Sequence, residues 1–409
     1  MANTLSLLNV EFWSNETQRS LFTENSALLV ANTKLLNVAG GEGDTVNKPI
    51  LSHVPTETYT PGTDLTERAI VATNETLSIA TFVGARTTVD DTEKKQSHYD
   101  LGKIISYRMM KSFNNKIEQA VLTEVTNASW SLDAGNVGGS SGSLISVNTD
   151  NVPQVFTAAD SKLDAIDAPK AGRVAVVGSH TLAQLKLQQA ARQTSFGDNV
   201  NLNGSVGKIF GWDVVYNNNL PFTAVLSLVT QPTDADTITI AGVVITLHAT
   251  LIATAWADIR TNVDTTRTFI RDLINYRNGT GGTVSGTVDT DFSDVSAENR
   301  FIWQKRGLLA VDSASADTLT LTGYGDIVVS ETLTDATDAW TSKQQDSLFC
   351  VKGATDLVVQ IPPQIEMVRD QDQFSTIVKG LLGYGKKTFA DGAREMVRVK
   401  INAAASDWA

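Results

Sequence analysis

The stretch GKIFGWDVVYNNNLP, residues 207–221, contains a strand-like segment that ends abruptly on three asparagines, a leucine and a proline. Its apolar and β-branched residues are typical of a half-buried strand. After it, the composition changes for more than a hundred residues, until a strand-like segment, DLVVQI at residues 356–361, resumes. The sequence therefore predicts a host domain that is interrupted by an inserted domain.

The predicted insertion, residues 223–350, is acidic and has its own secondary-structure pattern. It carries 16 acidic and 8 basic residues, a net charge of −8 in a chain whose net charge is −12. Residues 237–247 predict a hairpin that turns at an Ala-Gly pair, and the apolar spacing from Trp256 to Asn278 predicts an amphipathic helix. We expect a β-rich α+β domain whose surface repels phosphate backbones.

The amino-terminal part begins with two segments that have little core of their own. Residues 1–43 mix apolar pairs at spacings near seven and end in a glycine cluster, which predicts an amphipathic helical arm. Residues 44–96 are rich in threonine and valine and are interrupted by prolines. Because proline is poorly tolerated in a central strand, this pattern predicts an extended two-stranded excursion with exposed edges.

The strongest helical pattern extends from Ser97 to about Asn127. Apolar residues recur at every fourth position from Leu101 to Val125, and Ser97 and Asp100 can cap the first turn. Thirty helical residues span about 45 Å. A strict four-residue spacing winds around a helix, so this long helix is expected to contact more than one neighbour.

The sequence offers no assembled active site. Ser140 fits the pattern G-x-S-x-G, but residues 135–143 are small and polar, as in a flexible linker, and lack the strand–turn–helix of a nucleophile elbow. GLLGYGKK, residues 380–387, lacks the Ser/Thr and the following helix of a P-loop. The four histidines have no metal-ligand spacing, and Cys350 indicates a buried, inert thiol. We expect no catalytic, cofactor-binding or metal-ligating residue and no enzyme; a hydrolase using Ser140 is the enzyme alternative.

Two further patterns concern the compartment. Residues 237–257 carry no charge, but their apolar residues alternate with threonines, which favours strands over a membrane span. The first ten residues lack the basic start and apolar run of a signal peptide. We therefore expect a protein that is made and kept in a cytoplasm, without a membrane.

The order of these parts resembles that of Hong Kong 97-type major capsid proteins of tailed double-stranded DNA bacteriophages. The resemblance covers residues 1–222 and 351–402, and the insertion is similar, in position only, to the extra domain of some short-tailed-phage coat proteins. The segments that carry the resemblance are DTVNKP (44–49), YTPGTDL (59–65), Phe82 with VDDTEKKQS (89–97), GKIFG with NNLP (207–211 and 218–221) and GYGKK (383–387).

The resemblance implies an α+β capsid fold. Its parts would be an amino-terminal arm (1–43), an extended loop (44–96), the spine helix and peripheral domain (97–134), the first part of the axial domain (135–222), the insertion domain (223–350), and the axial return with the final peripheral strand (351–409). It implies self-assembly through pentamers and hexamers into the icosahedral shell around the phage genome, located in the virion after assembly in the host bacterial cytoplasm.

The resemblance also implies partners. These are other copies of the chain, a portal protein, a scaffolding protein, a decoration protein, and packaged DNA bound weakly and non-specifically. If the spine helix lines the interior, the candidates for phosphate contact are Lys103, Arg108, Lys111 and Lys116; the alternative is a solvated helix face. No pattern selects a lysine and an asparagine for a covalent cross-link, so we expect non-covalent assembly.

An alternative from the binding class is a phage tail or surface adhesin. Its β-rich insertion would bind carbohydrate through a clustered aromatic face and would give a small stable oligomer. The aromatic residues available for such a face are Trp256, Tyr276, Trp303, Tyr324 and Trp340.

Overall fold

A computed structural model describes residues 29–35, 44–97, 100–190, 207–248, 256–258, 262–277, 297–313 and 315–403. Most of the predicted arm lies outside these residues. The helices are α1 (Asp91–Gln96), α2 (Leu101–Thr123), α3 (Val152–Asp164), α4 (Ser179–Ala190), α5 (Val263–Arg277), α6 (Ala297–Arg306) and α7 (Ala390–Arg394). The strands are β1 (Ala31–Asn32), β2 (Thr45–Leu51), β3 (Ala72–Ser78), β4 (Thr81–Asp90), β5 (Trp130–Leu132), β6 (Arg173–Val177), β7 (Lys208–Ile209), β8 (Trp212–Tyr216), β9 (Pro221–Ser227), β10 (Thr237–Ile240), β11 (Val243–His248), β12 (Trp256–Asp258), β13 (Leu309–Ser313), β14 (Thr318–Tyr324), β15 (Val329–Glu331), β16 (Ala339–Val351), β17 (Thr355–Arg369), β18 (Ser375–Lys387) and β19 (Met396–Asn402).

Within the described residues the strands form four groups. The largest sheet has nine strands, in the order β13-β14-β9-β16-β6-β8-β7, with β19 and β5 attached beside β16. Two four-stranded sheets have the orders β1-β17-β18-β4 and β12-β11-β10-β15, and β2 and β3 form a two-stranded ribbon. This mixture of helices and mainly antiparallel sheets confirms the α+β class.

Strand β16 connects the predicted insertion to its host. Its first half pairs with β9, and its second half pairs with β6 and β19 in the same sheet. The apolar core is nevertheless divided: one cluster consists of buried residues between Phe222 and Trp340, and another surrounds Phe156, Trp212 and Phe349. The segment 223–350 thus supplies nearly all of one core while sharing a sheet with the host. Its ability to fold alone stays a prediction.

The long helix α2 confirms the predicted four-residue stripe. Asp100 caps it, because its carboxylate accepts a hydrogen bond from the backbone N–H of Lys103 at 3.3 Å. The stripe becomes buried from Met109 onward and packs on β17 and β18. A 3₁₀ turn, Glu124–Asn127, follows the helix. Ser97 differs from its predicted role, because it ends the preceding helix α1.

The insertion confirms one local prediction and corrects another. Strands β10 and β11 pair antiparallel around Ala241 and Gly242, whose φ angles of 53° and 82° form the two-residue turn expected from the sequence. Trp256, predicted as helical, instead lies in β12, which pairs parallel with β11. The strand pairing therefore overrides the apolar spacing at this point, and α5 begins only at Val263. The predicted helix end at Asn278 lies outside the described residues.

The predicted flexible linker, residues 135–143, is a compact turn. The Asp133 carboxylate accepts hydrogen bonds from the N–H groups of Gly135 and Gly142, at 3.0 and 2.8 Å. A short 3₁₀ helix, Ala134–Val137, forms the first part of this turn and includes Gly135. The small residues allow the chain to fold tightly around one carboxylate. No helix among the described residues has the length and apolar character needed to cross a bilayer.

Candidate assembly surface and polar junction

The ribbon formed by β2 and β3 ends in an extended stretch without a core. Residues 51–74 are all exposed. We call residues 52–71, beyond the last ladder pair Leu51–Ala72, the exposed loop. Large apolar side chains in and beside it are 47–69% exposed: Leu51, Val54, Tyr59, Leu65, Ile70 and Val71. A two-stranded ribbon is marginally stable alone, and nothing in the described part of the chain buries this surface, so it is available to a partner.

The base of the ribbon is fixed to the body. Leu77 and Val46 are buried against Val358 and Phe389. The Lys48 ammonium lies 2.7 Å from a carboxylate oxygen of Asp391. Burial opposes the charge of Lys48, but this hydrogen bond and the neighbouring carboxylates together raise its pKa. The exposed loop therefore extends from an anchored base.

The asparagines of the opening sequence form part of a buried polar junction on helix α2. Asn217 Nδ2 donates to Glu118 Oε1 at 2.6 Å, and Asn219 Nδ2 donates to Glu118 Oε2 at 2.7 Å. Asn219 Nδ2 also donates to Asn115 Oδ1 at 2.7 Å. All four residues are less than 9% exposed. The end of the host strand β8 is thus bound to the long helix by side chains.

The middle asparagine binds the insertion. The backbone oxygen of Asn218 accepts from Arg306 Nη1 at 3.1 Å, and its side-chain oxygen accepts from the backbone N–H of Asp326 at 3.0 Å. Gln119 of α2 donates to the backbone oxygen of Lys305 at 2.8 Å. We define the polar junction as Asn115, Glu118, Gln119, Asn217, Asn218, Asn219, Arg306 and Asp326. At the NNN sequence, strand β8, helix α2 and the segment 223–350 meet.

Burial shifts the pKa of the two ionisable groups, Asp326 and Arg306, that the segment 223–350 contributes to the polar junction. It raises the pKa of Asp326, whose carboxylate accepts hydrogen bonds from the Ser179 hydroxyl and from Gln345 Nε2, the latter at 3.0 Å. It lowers the pKa of Arg306. Such desolvated groups are stable only with their partners in place, so the junction specifies one arrangement of its three elements.

The four candidate phosphate-contact residues do not share one environment. Lys103 and Arg108 are exposed, and the Lys111 ammonium lies 5.7 Å from the centre of the Tyr107 ring. Lys116 is partly buried, and desolvation lowers its pKa. Phosphate contact by these four residues stays a prediction.

The aromatic residues proposed for a carbohydrate-binding face do not form one in the described part of the insertion. Trp303 is 0% exposed and donates its indole N–H to the Ile240 oxygen at 3.2 Å. Trp340 is 9% exposed and belongs to the same core. For Trp256 and Tyr276 the structure describes the backbone and not the side chain. The described tryptophans stabilise the fold.

The sequence motifs weighed for chemistry have structural positions. Residues 380–387 lie within strand β18, and Ser140 lies in the turn around Asp133. Cys350 is fully buried, and burial raises its pKa to about 12. Among the described residues no group of three or more His, Cys, Asp or Glu side chains could hold a metal ion. Sequence reasoning missed Glu118, Arg306 and Asp326, since no local motif marks them.

The chain resembles known proteins in its structure. No family model matches the sequence, and no curated protein matches it. A chain from the structure of Mycobacterium phage Che8 has a TM-score of 0.57 at 15% identity, covering 95% of this chain and 96% of that one. A chain from the capsid structure of the cyanophage P-SCSP1u has a TM-score of 0.54 at 12% identity, with 97% and 94% covered. The capsid asymmetric unit of the cyanophage Pam1 has a TM-score of 0.51 at 12% identity, with 99% of each chain covered. The chain therefore has the fold of phage capsid structures, which confirms at the level of the fold the resemblance drawn from its sequence.

Proposed function

We propose that this chain is a major capsid protein that assembles through pentamers and hexamers into the icosahedral shell around a phage double-stranded DNA genome. The observation that carries the proposal is the exposed loop, which extends apolar side chains from an anchored base in a chain with a capsid fold. Shallow contacts of this kind, repeated over a closed shell, give stability without one strong interface. The adhesin alternative is not favoured, because the structural likeness is to capsids and both Trp303 and Trp340 are buried.

We assign the arrangement to the Hong Kong 97 type. In this assignment α2 is the spine helix, and β6 and β8 belong to the axial domain. The sheet β1-β17-β18-β4 is assigned to the peripheral domain because β17 and β18 pack on α2. This differs from the sequence expectation, which placed residues 351–409 in the axial return with the final peripheral strand. Residues 223–350 form the insertion domain, supported by their separate apolar cluster. The ribbon of β2 and β3 is the extended loop that lies over a neighbouring subunit.

The proposed partners follow from assembly and charge. Other copies bind through the exposed loop, and a portal protein, a scaffolding protein and a decoration protein complete or support the shell. The acidic insertion on the outer face would keep particles soluble and repel external DNA. Lys103, Arg108 and Lys111 would contact packaged DNA weakly if α2 lines the interior. The location is the virion, after assembly in the host bacterial cytoplasm.

The test is sedimentation with negative-stain imaging of the chain expressed alone and with candidate scaffolding proteins. We expect closed shells or capsomer rings from the wild type. The double substitution Tyr59→Ser with Leu65→Ser should abolish them. A matched control, Val311→Ser, changes a residue of the insertion that is 53% exposed, and it should leave them intact. A monodisperse monomer or trimer under every condition would overturn the proposal.

A further inference from the structure

The exposed loop has a defined conformation although it lacks a core. At its base, Ser52 N–H donates to the Val71 oxygen at 2.9 Å, and Val71 N–H donates to Ser52 Oγ at 2.9 Å. At its tip, Thr63 N–H donates to the Thr60 oxygen at 3.1 Å. Gly62 occupies this turn with a φ of +90°, where a side chain would be strained. Hydrogen bonds at both ends therefore shape the loop.

Between base and tip, one carboxylate connects the two limbs of the loop. Glu57 Oε1 accepts a hydrogen bond from the backbone N–H of Thr66 at 2.6 Å, and Glu57 Oε2 lies 4.0 Å from Arg68 Nη2. The Glu57 side chain is 32% exposed, so the surrounding chain covers much of it. Glu67, in the same loop, has no hydrogen bond or ion pair within the part of the chain that the structure describes. Glu57, unlike Glu67, therefore links the two limbs of the loop through Thr66 and Arg68.

We propose that Glu57 is a positioning residue for assembly, which holds the exposed loop in its docking conformation before a second copy of the chain arrives. This inference rests on the proposed function. The apolar side chains Tyr59 and Leu65 lie on opposite limbs, and the Glu57–Thr66 hydrogen bond sets the separation of those limbs near both of them. A loop that is ordered beforehand loses less conformational entropy on docking, so association becomes more favourable without any new contact.

The effect of Glu57→Gln on association should be small at one interface, but it should be measurable in shell assembly, where the interface is repeated. Removing the carboxylate charge weakens a charge-assisted hydrogen bond on a partly exposed site. We expect Glu57→Gln to raise the threshold concentration for shell formation about threefold to tenfold. The melting temperature of the unassembled chain should stay unchanged, because the exposed loop adds nothing to the core.

The experiment compares four full-length proteins by light scattering and sedimentation over a concentration series: wild type, Glu57→Gln, Glu67→Gln and Gly62→Ala. Glu67→Gln makes the same charge change and should match the wild type. Gly62→Ala strains the tip without a clash, since nothing lies within 4 Å of an added Cβ, and it should act like Glu57→Gln. Hydrogen exchange of the unassembled chains should be faster across residues 52–71 in Glu57→Gln and Gly62→Ala.

The outcomes separate this inference from the proposed function. Wild-type shells with the same threshold for Glu57→Gln and Glu67→Gln would overturn the positioning role and leave the capsid function standing. A raised threshold accompanied by a lowered melting temperature would also overturn it, because Glu57 would then stabilise the fold in general. Absence of shells from the wild type would overturn the proposed function and, with it, the inference.

Discussion

Glu118 offers a sharp test of the polar junction, because one buried carboxylate receives two amide donors from the NNN segment. Glu118 is 1% exposed, and Asn217 and Asn219 donate to its two oxygens at 2.6 and 2.7 Å. The substitution Glu118→Ala removes both acceptors at once. Asn219 keeps its hydrogen bond to Asn115, whereas the side-chain donor of Asn217 loses this partner.

The magnitude follows from the cost of leaving buried donors unsatisfied. Each such group costs roughly 1–3 kcal/mol. Because buried amide donors of both Asn217 and Asn219 lose an acceptor, we expect Glu118→Ala to lower the free energy of unfolding by about 3 kcal/mol, which is about a 150-fold rise in the unfolding constant. Glu118→Gln keeps one carbonyl acceptor, so it should lose about half as much. Ser112→Ala, at an exposed position of the same helix, should change stability by less than about 0.5 kcal/mol.

The assay is urea unfolding of the unassembled chain, followed by tryptophan fluorescence. Trp212 lies in the host core and Trp303 in the insertion core, and both are 0% exposed, so the signal reports both sides of the junction. If the free energy of unfolding of Glu118→Ala lies within about 0.5 kcal/mol of the wild-type value, the cost of desolvating the Glu118 side chain cancels the gain from its hydrogen bonds. The claim that the junction stabilises the fold would then be wrong.

Three further predictions concern a thiol, a carboxylate and a glycine. Burial raises the pKa of the Cys350 thiol to about 12, so the folded chain should not react with an aromatic disulfide reagent at pH 8. In urea, one thiol per chain should react. Fast reaction of the folded chain would contradict this prediction. Burial opposes ionisation of Glu124, but the Lys386 ammonium at 3.0 Å and nearby hydrogen bonds lower its pKa below the ordinary 4.5. The ionised Glu124 therefore stabilises the fold above pH 4.5, and this stabilisation is lost as the pH falls through the pKa of the folded state. The difference in the free energy of unfolding between wild type and Glu124→Gln should be widest near pH 7 and should disappear in acid. A difference that does not change with pH would refute the ion pair with Lys386. Gly380→Ala places a Cβ 2.5 Å from the Phe113 ring, so calorimetry should show a melting temperature several degrees lower, and an unchanged value would argue against the close helix–sheet approach.

The elements that could be predicted from the sequence are those whose signals are local. The four-residue apolar stripe identified α2, since helical periodicity depends on neighbouring residues only. The Ala241–Gly242 pair identified the hairpin turn, because few residues adopt its left-handed backbone. Prolines in the segment 44–96 predicted a two-stranded excursion, which is correct for the ribbon of β2 and β3 but wrong for β4, because β4 pairs with β18 in a four-stranded sheet. The abrupt NNN ending predicted a domain boundary, which stays a prediction.

The contacts between these elements depend on the three-dimensional fold. Glu118 and Asn217 are about a hundred residues apart, and Asn218 and Asp326 are 108 apart, so no local pattern can pair them. The pairing of β12 with β11 placed Trp256 in a strand despite its helical spacing. The Asp133 carboxylate turned a linker composition into a compact turn, and β16 joined the insertion and host in one sheet. In each case the outcome depends on which distant backbone and side-chain groups the fold brings within hydrogen-bond distance.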